Sequence, residues 1–112
     1  MSTAFQVRPN PIYRKGRPVR SEKYKRFIRR FACCVCDSTR RVEAAHTGCH
    51  GLGTKSDDTL CLPLCLVHHQ TGDESLHKLG PLEFAAVHGL DIPKLILKFN
   101  ALFESTQTGA QL

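Results

Sequence analysis

The sequence predicts a small α+β domain in which two short strands are covered by helices. Apolar side chains alternate with other residues in two short runs, residues 41–46 and 59–63, as they do in half-buried strands. Apolar side chains recur at helical spacing in three other segments, residues 21–31, 81–89 and 91–103. With 112 residues the chain can form one domain with a modest core. A cross-link such as a disulfide or a bound metal ion would stabilise a core of this size.

Capping and breaking residues set the expected limits of these elements. Ser21 is typical of a helix N-cap, and Asp91 is expected to cap the last helix in the same way. Pro81 suits the first turn of a helix and Gly89 suits its C-terminal stop. Pro63 is expected to end the second strand, because proline cannot donate a backbone hydrogen bond.

The remaining segments divide the chain into an arm, a domain and a tail. Residues 1–20 are rich in proline and basic side chains and predict a flexible arm, whereas residues 105–112 predict a disordered tail. Residues 21–104 form the predicted domain, in which the glycines of residues 47–58 indicate a loop. A short helix is expected to begin near Cys65.

The positive charge is concentrated in the first part of the chain. Residues 1–41 contain twelve Lys and Arg against two acidic residues, whereas residues 42–112 contain four Lys against eight acidic residues. This asymmetry favours a polyanionic partner such as nucleic acid, although a solvated basic tail would produce the same pattern.

The sequence also indicates a compartment in which thiols stay reduced. No apolar run approaches the roughly 18 residues needed to span a bilayer, and the N-terminus lacks the features of a signal peptide. We therefore expect a cytoplasmic protein without membrane contact. The six cysteines of such a protein point to metal binding more than to disulfides.

Two spaced pairs of residues predict a structural zinc site. Cys33 and Cys36 have the C-x2-C spacing that lets two thiolates bind one zinc ion from a tight turn. Cys65 and His68 repeat this spacing as C-x2-H, and zinc accepts four such ligands tetrahedrally. Two pairs flanking a hairpin, with the second pair at the start of a helix, form the treble-clef arrangement.

The other cysteines have simpler interpretations. Cys34 is expected to point away from the metal, and Cys61 alternates with leucines in a strand and is expected in the core. A metal-binding pair of Cys34 and Cys36 is an alternative, although C-x-C spacing suits a tetrahedral ion less well. Cys49 has no spaced partner and stays unassigned.

Five of the six histidines remain once His68 is assigned to zinc, and three of them matter for a second site. His46 ends the first strand, just before the glycine loop. His69 lies about 100° around a helix from His68, so the two rings cannot comfortably face one ion. His77 follows eight residues later.

These residues together resemble a known family. The knuckle "CCVC", the strand "RVEAAH", the loop ending in "SDD" and the run "PLCLVHH" look like the HNH, or ββα-metal, nucleases. The stretch from "EAAHTGCHGLGTKSDD" to "PLCLVHHQTGDESLHKLGPLEF" is similar to small phage and prophage nucleases of the recombination-associated branch. The resemblance covers about residues 21–100. It implies a zinc-stapled ββα-metal core with a basic N-terminal helix and covering C-terminal helices, and phage or recombination proteins as possible partners.

The resemblance also implies catalytic roles. His46 matches the general base that takes a proton from the attacking water, for which neutral imidazole is suited. Asp58 matches the residue that orients this base, with Asp57 as the second choice. His69 matches the helix histidine that holds a catalytic divalent ion, and His77 matches an additional ligand to that ion.

One position departs from the family pattern. Many relatives have a metal-binding Asp or His directly before the base, where this chain has Ala45. The ion would then depend on His69, His77 and further ligands, among which His50, an aspartate and water are the alternatives. Mg²⁺ prefers oxygen ligands, whereas Mn²⁺, Ni²⁺ and Zn²⁺ accept imidazole, so the sequence leaves the catalytic metal open among these four.

The sequence therefore predicts a metal-dependent DNA endonuclease or nickase. The alternative is a non-catalytic treble-clef zinc module that binds nucleic acid, in which His46 would be an ordinary structural histidine and Asp57 and Asp58 would only cap a strand. Five basic side chains are expected to contact nucleic-acid phosphates, or else to be solvated surface charges: Lys23, Arg26, Arg29, Arg30 and Lys55.

Overall fold

The computed structural model describes residues 19–48 and 57–109, with the side chains of the last two residues left aside. Within these ranges an α+β fold is formed by a two-stranded antiparallel sheet and four α-helices. The predicted arm up to residue 18, most of the glycine loop and Lys55 lie outside the described residues. None of the described helices combines the length and apolar character needed to cross a membrane.

Along the chain, one helix precedes the two strands and three helices follow them. Helix α1 spans Glu22–Ile28, strand β1 spans Val42–His46, and strand β2 spans Cys61–Cys65 after a 3₁₀ turn at Asp58–Leu60. A π-helical turn covers Val67–Thr71. The three remaining helices are α2 at Leu76–Leu79, α3 at Pro81–His88 and α4 at Ile92–Gly109.

The predicted caps are confirmed at the helix ends. The Ser21 hydroxyl accepts a hydrogen bond from the Tyr24 amide at 3.0 Å, and the Asp91 carboxylate accepts one from the Lys94 amide at 3.1 Å. Gly89 ends α3 in the left-handed conformation, with φ of 66°. These side chains and this backbone conformation satisfy groups that would otherwise lack partners at a helix end.

Three predicted boundaries are wrong. Pro63 does not stop β2, which continues to Cys65, because both strands of a two-stranded sheet have a free edge that tolerates a missing N–H group. Helix α1 ends at Ile28 and not at residue 31. Helix α4 runs to Gly109, so residues 105–109 of the predicted tail are helical; the Lys23 ammonium donates to the Gln107 side chain at 2.7 Å and ties this end of α4 to α1.

Strand β2 is buried along its whole length, and two apolar clusters pack around the hairpin. One cluster joins α1, β2 and α4 through an aromatic group in which Tyr24 and Phe27 pack against Phe103 with ring centroids 4.9 and 5.2 Å apart. The other cluster packs Ala45 and Leu64 of the strands against α2 and α3. Because all five residues of β2 are buried, the hairpin is a rigid support for the side chains at its ends.

Candidate functional site

Three cysteines and one histidine converge where the turn that carries Cys33 and Cys36 meets the end of β2. The sulfur atoms of Cys36 and Cys65 lie 3.8 Å apart, and His68 Nδ1 lies 3.3 Å from Cys65 Sγ and 3.8 Å from Cys33 Sγ. A tetrahedral zinc ion would separate two sulfur ligands by about 3.8 Å and a sulfur from a nitrogen by about 3.6 Å. All four ligand atoms lie within 4.8 Å of one another. This Cys₃His cluster can hold a metal ion such as zinc, as the sequence spacing predicted.

A tight turn presents the first two cysteines. The Cys33 amide donates to the Ser38 carbonyl, and the Asp37 amide donates to the Cys33 carbonyl, both at 2.9 Å. Asp37 adopts a left-handed conformation with φ of 63°, which glycine and then Asn and Asp tolerate best. Burial opposes ionisation of the Cys33 thiol, but hydrogen bonds from nearby backbone amides, including that of Val35, hold its pKa below the usual value. These hydrogen bonds favour the thiolate of Cys33, the form that a metal requires. At Cys36 the Ser38 amide lowers the pKa of the thiol, but burial and the neighbouring Cys33 and Cys65 side chains together hold it above the usual value.

A π-helical turn presents His68 and His69 in different directions. Its defining hydrogen bond runs from the Gly72 amide to the Val67 carbonyl at 2.8 Å. A side chain at Gly72 would place its Cβ only 2.8 Å from that carbonyl oxygen, so the turn requires glycine. His68 points to the Cys₃His cluster, whereas His69 contacts Glu43 on β1. The prediction that the two rings face different groups is confirmed, although the sequence predicted an ordinary helix here.

The other two described cysteines lie outside the cluster. Cys61 is buried in the apolar core beside α1 and α4, and burial raises the pKa of its thiol to about 12. Cys34 is partly buried between the two apolar clusters, and burial raises the pKa of its thiol to about 11. Both behave as small apolar residues, as predicted. His46, Asp58 and Cys61 also offer three ligand atoms within 4.8 Å of one another, and the Cys61 member of this group is fully buried in the apolar core.

A second group of polar side chains forms around His46 at the end of β1. His46 Nε2 lies 2.8 Å from Asp58 Oδ1, and the two side chains are 39% and 3% exposed. The other carboxylate oxygen of Asp58 accepts a hydrogen bond from the Ser21 amide at 2.7 Å. Burial opposes ionisation of Asp58, but the hydrogen bonds from Ser21 and His46 hold the pKa of this carboxyl below its usual value.

The ionised Asp58 carboxylate fixes the protonation pattern of the His46 ring. A carboxylate only accepts hydrogen bonds, so Nε2 of a neutral His46 ring carries the proton. The lone pair of that ring then lies on Nδ1, on a side chain that is exposed to solvent. The structure thus brings together the two residues that the sequence predicted as base and orienting group.

The end of the arm is bound to the turn that carries Asp58. The Val19 amide donates to the Asp57 carboxylate at 2.6 Å, and the Asp58 amide donates to the Val19 carbonyl at 2.9 Å. Asp57, the second choice for the orienting residue, therefore anchors the chain at Val19. Arg20 lies between these anchors, with its guanidinium 3.6 Å from Asp58 Oδ1. Sequence reasoning missed Arg20, since it lies 38 residues from Asp58 and was assigned to the arm.

A third group contains the two histidines predicted to hold a catalytic ion. The rings of His69 and His77 make an edge contact with centroids 4.6 Å apart. His69 Nδ1 lies 2.6 Å from Glu43 Oε1, and the Gln70 amide group donates to the same oxygen at 2.9 Å. Burial opposes ionisation of Glu43, but these two hydrogen bonds hold the pKa of its carboxyl below the usual value. The sequence did not single out Glu43, although strand alternation places it on the same face as Ala45.

The His46 group and the His69 group occupy different positions along β1. His46 is opposite Cys61 in the sheet register, whereas Glu43 is opposite Leu64, three positions away. This separation is about 10 Å along a strand, and alternation directs the two side chains to different faces. Among the described contacts, none joins His46 to His69 or His77. The predicted base and ion ligands are therefore neighbours along one strand without direct contact.

The described part of the predicted basic surface lies on α1 and just after it, and is partly paired with other side chains. Arg29 forms an ion pair with Glu22 at 2.9 Å, and Lys23 donates to Gln107. Arg26 and Arg30 are exposed. Helix α1 packs beside the turn that carries Asp58.

The fold and the cluster define a small α+β protein with a Cys₃His group that could hold a metal ion such as zinc. The chain belongs to the family described as Protein of unknown function (DUF968), which matches residues 4–106. No curated protein and no solved structure matches it.

Proposed function

We propose that this protein is a metal-dependent DNA endonuclease or nickase of the HNH type. The observation that carries the proposal is the His46–Asp58 pair at the end of β1, with a contact of 2.8 Å and a buried, ionised carboxylate. A histidine held in this way is suited to general-base catalysis, because its second nitrogen can accept a proton from water.

The arrangement around the pair is compatible with a ββα-metal core of the treble-clef type. A cysteine knuckle precedes β1, and the second pair of metal ligands lies at the end of β2 and in the π-helical turn after it. A metal bound by these four residues would join the knuckle to the far end of the hairpin. Because β1 belongs to this hairpin, the metal would also stabilise the position of His46.

The proposed reaction is hydrolysis of a phosphodiester bond. Asp58 holds Nε2–H of His46, and Nδ1 takes a proton from the attacking water as its oxygen forms a bond to phosphorus. The bond from phosphorus to the 3′-oxygen breaks, and that oxygen leaves with a proton from solvent. The products are then a 5′-phosphate and a 3′-hydroxyl. The Arg20 guanidinium, 3.6 Å from Asp58, is placed to contact the phosphate that reaches His46.

The donor groups at His69 and His77 fit a divalent cation. Two imidazole rings with centroids 4.6 Å apart offer nitrogen atoms of the kind that Mn²⁺, Ni²⁺ and Zn²⁺ accept. A cation bound there would neutralise charge on the scissile phosphate and on the leaving 3′-oxygen. His46 and the His69 group lie on different faces of β1, about 10 Å apart along the strand, so a phosphate that contacts both would have to span the edge of the hairpin.

The basic helix suggests how the substrate is bound. Arg26 on α1 and Arg30 just beyond its end are exposed, and together with Arg20 they would contact the nucleic-acid backbone. Contacts of this kind give affinity without sequence preference and weaken as salt concentration rises. Lys23, Arg29 and Lys55 are proposed as further phosphate contacts, and the first two would have to exchange their present partners.

The alternative function is a zinc module that binds nucleic acid without cutting it. The basic surface of α1 and the Cys₃His cluster would serve such a module equally well. The module would have no use for a buried carboxylate that orients a solvent-exposed histidine, nor for a carboxylate and two histidines clustered apart from the zinc ligands. These two groups favour the nuclease.

Incubation of supercoiled plasmid DNA with the zinc-loaded protein tests the proposal. We expect conversion to nicked or linear DNA on addition of Mn²⁺ or Ni²⁺, with less conversion in Mg²⁺ because the donor set is rich in imidazole. Zn²⁺ is the fourth ion tested. EDTA, which removes divalent ions, should stop the reaction. Plasmid that stays intact with all four ions, under conditions in which the protein binds DNA, would favour the binding module.

A further inference from the structure

Glu43 is placed to control which nitrogen of His69 is available to an ion. Its Oε1 atom lies 2.6 Å from Nδ1 of His69 and accepts a second hydrogen bond from Gln70 at 2.9 Å. His69 and Glu43 come from segments 26 residues apart, and their side chains are 13% and 36% exposed. The contact therefore belongs to the tertiary fold and not to a local surface pairing.

We propose that Glu43 is a positioning residue that holds Nδ1–H of His69 and leaves Nε2 as the nitrogen that binds a divalent cation together with His77. The inference rests on the proposed function for the identity of the ion's role, but its geometry stands on the described contacts alone. A carboxylate acceptor fixes the tautomer and the ring orientation of a metal-binding histidine and makes the ring a better ligand.

Glu43 is the nearest acidic side chain on the face of β1 that Ala45 occupies. Residues two positions apart in a strand lie on the same face, so Glu43 and Ala45 share one side of the hairpin. Ala45 is fully buried against Leu64, Leu76 and Phe84, which leaves no room there for a ligand. The nearest carboxylate on that face is that of Glu43, which the π-helical turn brings into contact with His69 and which acts as a hydrogen-bond acceptor and not as a metal ligand.

The hydrogen bond itself can be observed by nitrogen NMR of the histidine side chains. In zinc-loaded protein without a second ion, we expect His69 to carry its proton on Nδ1 and to show an unprotonated Nε2. Glu43→Ala should shift His69 toward the Nε2-protonated form. Glu43→Gln retains an oxygen acceptor and should retain most of the Nδ1-protonated form. Glu83→Gln, on the exposed surface of α3, is the matched control and should change nothing.

Calorimetric titration with Mn²⁺ and with Ni²⁺ measures the consequence for the second ion. We expect Glu43→Ala to weaken binding by about 10–100-fold, as loss of such partners does in other metal sites. His69→Ala should abolish this binding, whereas His46→Ala should leave it unchanged. Zinc content should stay at one ion per chain in all these variants.

The outcomes separate this inference from the proposed function. An unchanged His69 tautomer and unchanged ion affinity in Glu43→Ala would overturn the role of Glu43, whether or not the protein cuts DNA. Absence of a second ion in the wild type, with both Mn²⁺ and Ni²⁺, would overturn it as well. A protein that shows the expected tautomer and affinity changes but cuts no DNA would retain the ion site and refute the nuclease.

Discussion

Replacing Cys65 with serine will release the metal from the Cys₃His cluster and unfold the domain. Cys65 ends β2 and lies 3.3 Å from His68 and 3.8 Å from Cys36, so it links the two halves of the cluster. Structural zinc ions in small finger peptides bind with an apparent free energy of about 10–16 kcal/mol. The net stability of a typical domain is about 5–15 kcal/mol. The loss of this ion is therefore large enough to remove the folded state.

Thermal melting followed by circular dichroism, together with metal counting, checks this result. Cys65→Ser should contain no zinc and should show no cooperative transition. Cys34→Ser is the matched control, because Cys34 lies in the same knuckle but outside the cluster, and it should keep its zinc. A Cys65→Ser variant that keeps one zinc ion and the wild-type melting curve would show that these four residues do not form the metal site.

Replacing His46 with alanine will abolish DNA cleavage and leave the fold intact. His46 is 39% exposed at the end of β1, so removal of its ring leaves no large cavity. A positioned general base contributes about 10²–10⁴-fold to a reaction rate. We expect a loss in this range for the rate of nicking at saturating protein. The loss should not be recovered by adding more divalent ion.

Three measurements distinguish a lost base from a damaged protein. Zinc content and the melting temperature of His46→Ala should match those of the wild type, because the Cys₃His cluster is untouched. Its affinity for DNA, measured by fluorescence anisotropy, should also be close to that of the wild type, since binding depends on the basic residues. Cleavage by His46→Ala at the wild-type rate would rule out this histidine as the base.

The parts of the fold that depend on local chemistry could be predicted from the sequence. Ser21 and Asp91 cap helices through their own side chains, and Gly89 ends a helix because it adopts a left-handed conformation. The alternating pattern around Ala44 and Ala45 predicted β1 with its two faces. In each case the residue and the structure it causes lie within a few positions of each other.

The boundaries that failed depend on contacts from elsewhere in the chain. Helix α4 continues past residue 104, where Lys23 of α1 bonds to Gln107. Pro63 is accepted in β2 because the sheet has only two strands in the described structure. The π-helical turn is set by the hydrogen bond between Gly72 and Val67, and no periodicity in five residues could distinguish it from an α-helix.

The candidate site also contains features that local spacing predicts and features that depend on contacts between distant parts of the chain. The Cys₃His cluster could be predicted because each pair of ligands has a fixed spacing that a turn enforces. Arg20 and Glu43 could not, because each meets its partner across a long stretch of chain, 38 and 26 residues respectively. The contact between Arg20 and Asp58 depends on the path of the arm over the 3₁₀ turn. The contact between Glu43 and His69 depends on the direction of the π-helical turn.

The most direct test of the central claim is the chemistry of the cut ends on one end-labelled DNA duplex. The zinc-loaded protein is incubated with this duplex and Mn²⁺, and the products are treated with a phosphatase or extended by a polymerase. Attack by a water molecule that His46 activates predicts fragments with a 5′-phosphate, which the phosphatase removes, and a 3′-hydroxyl, which the polymerase extends. Fragments ending in a 3′-phosphate, or a duplex that stays uncut while the protein is bound to it, would contradict the proposed mechanism.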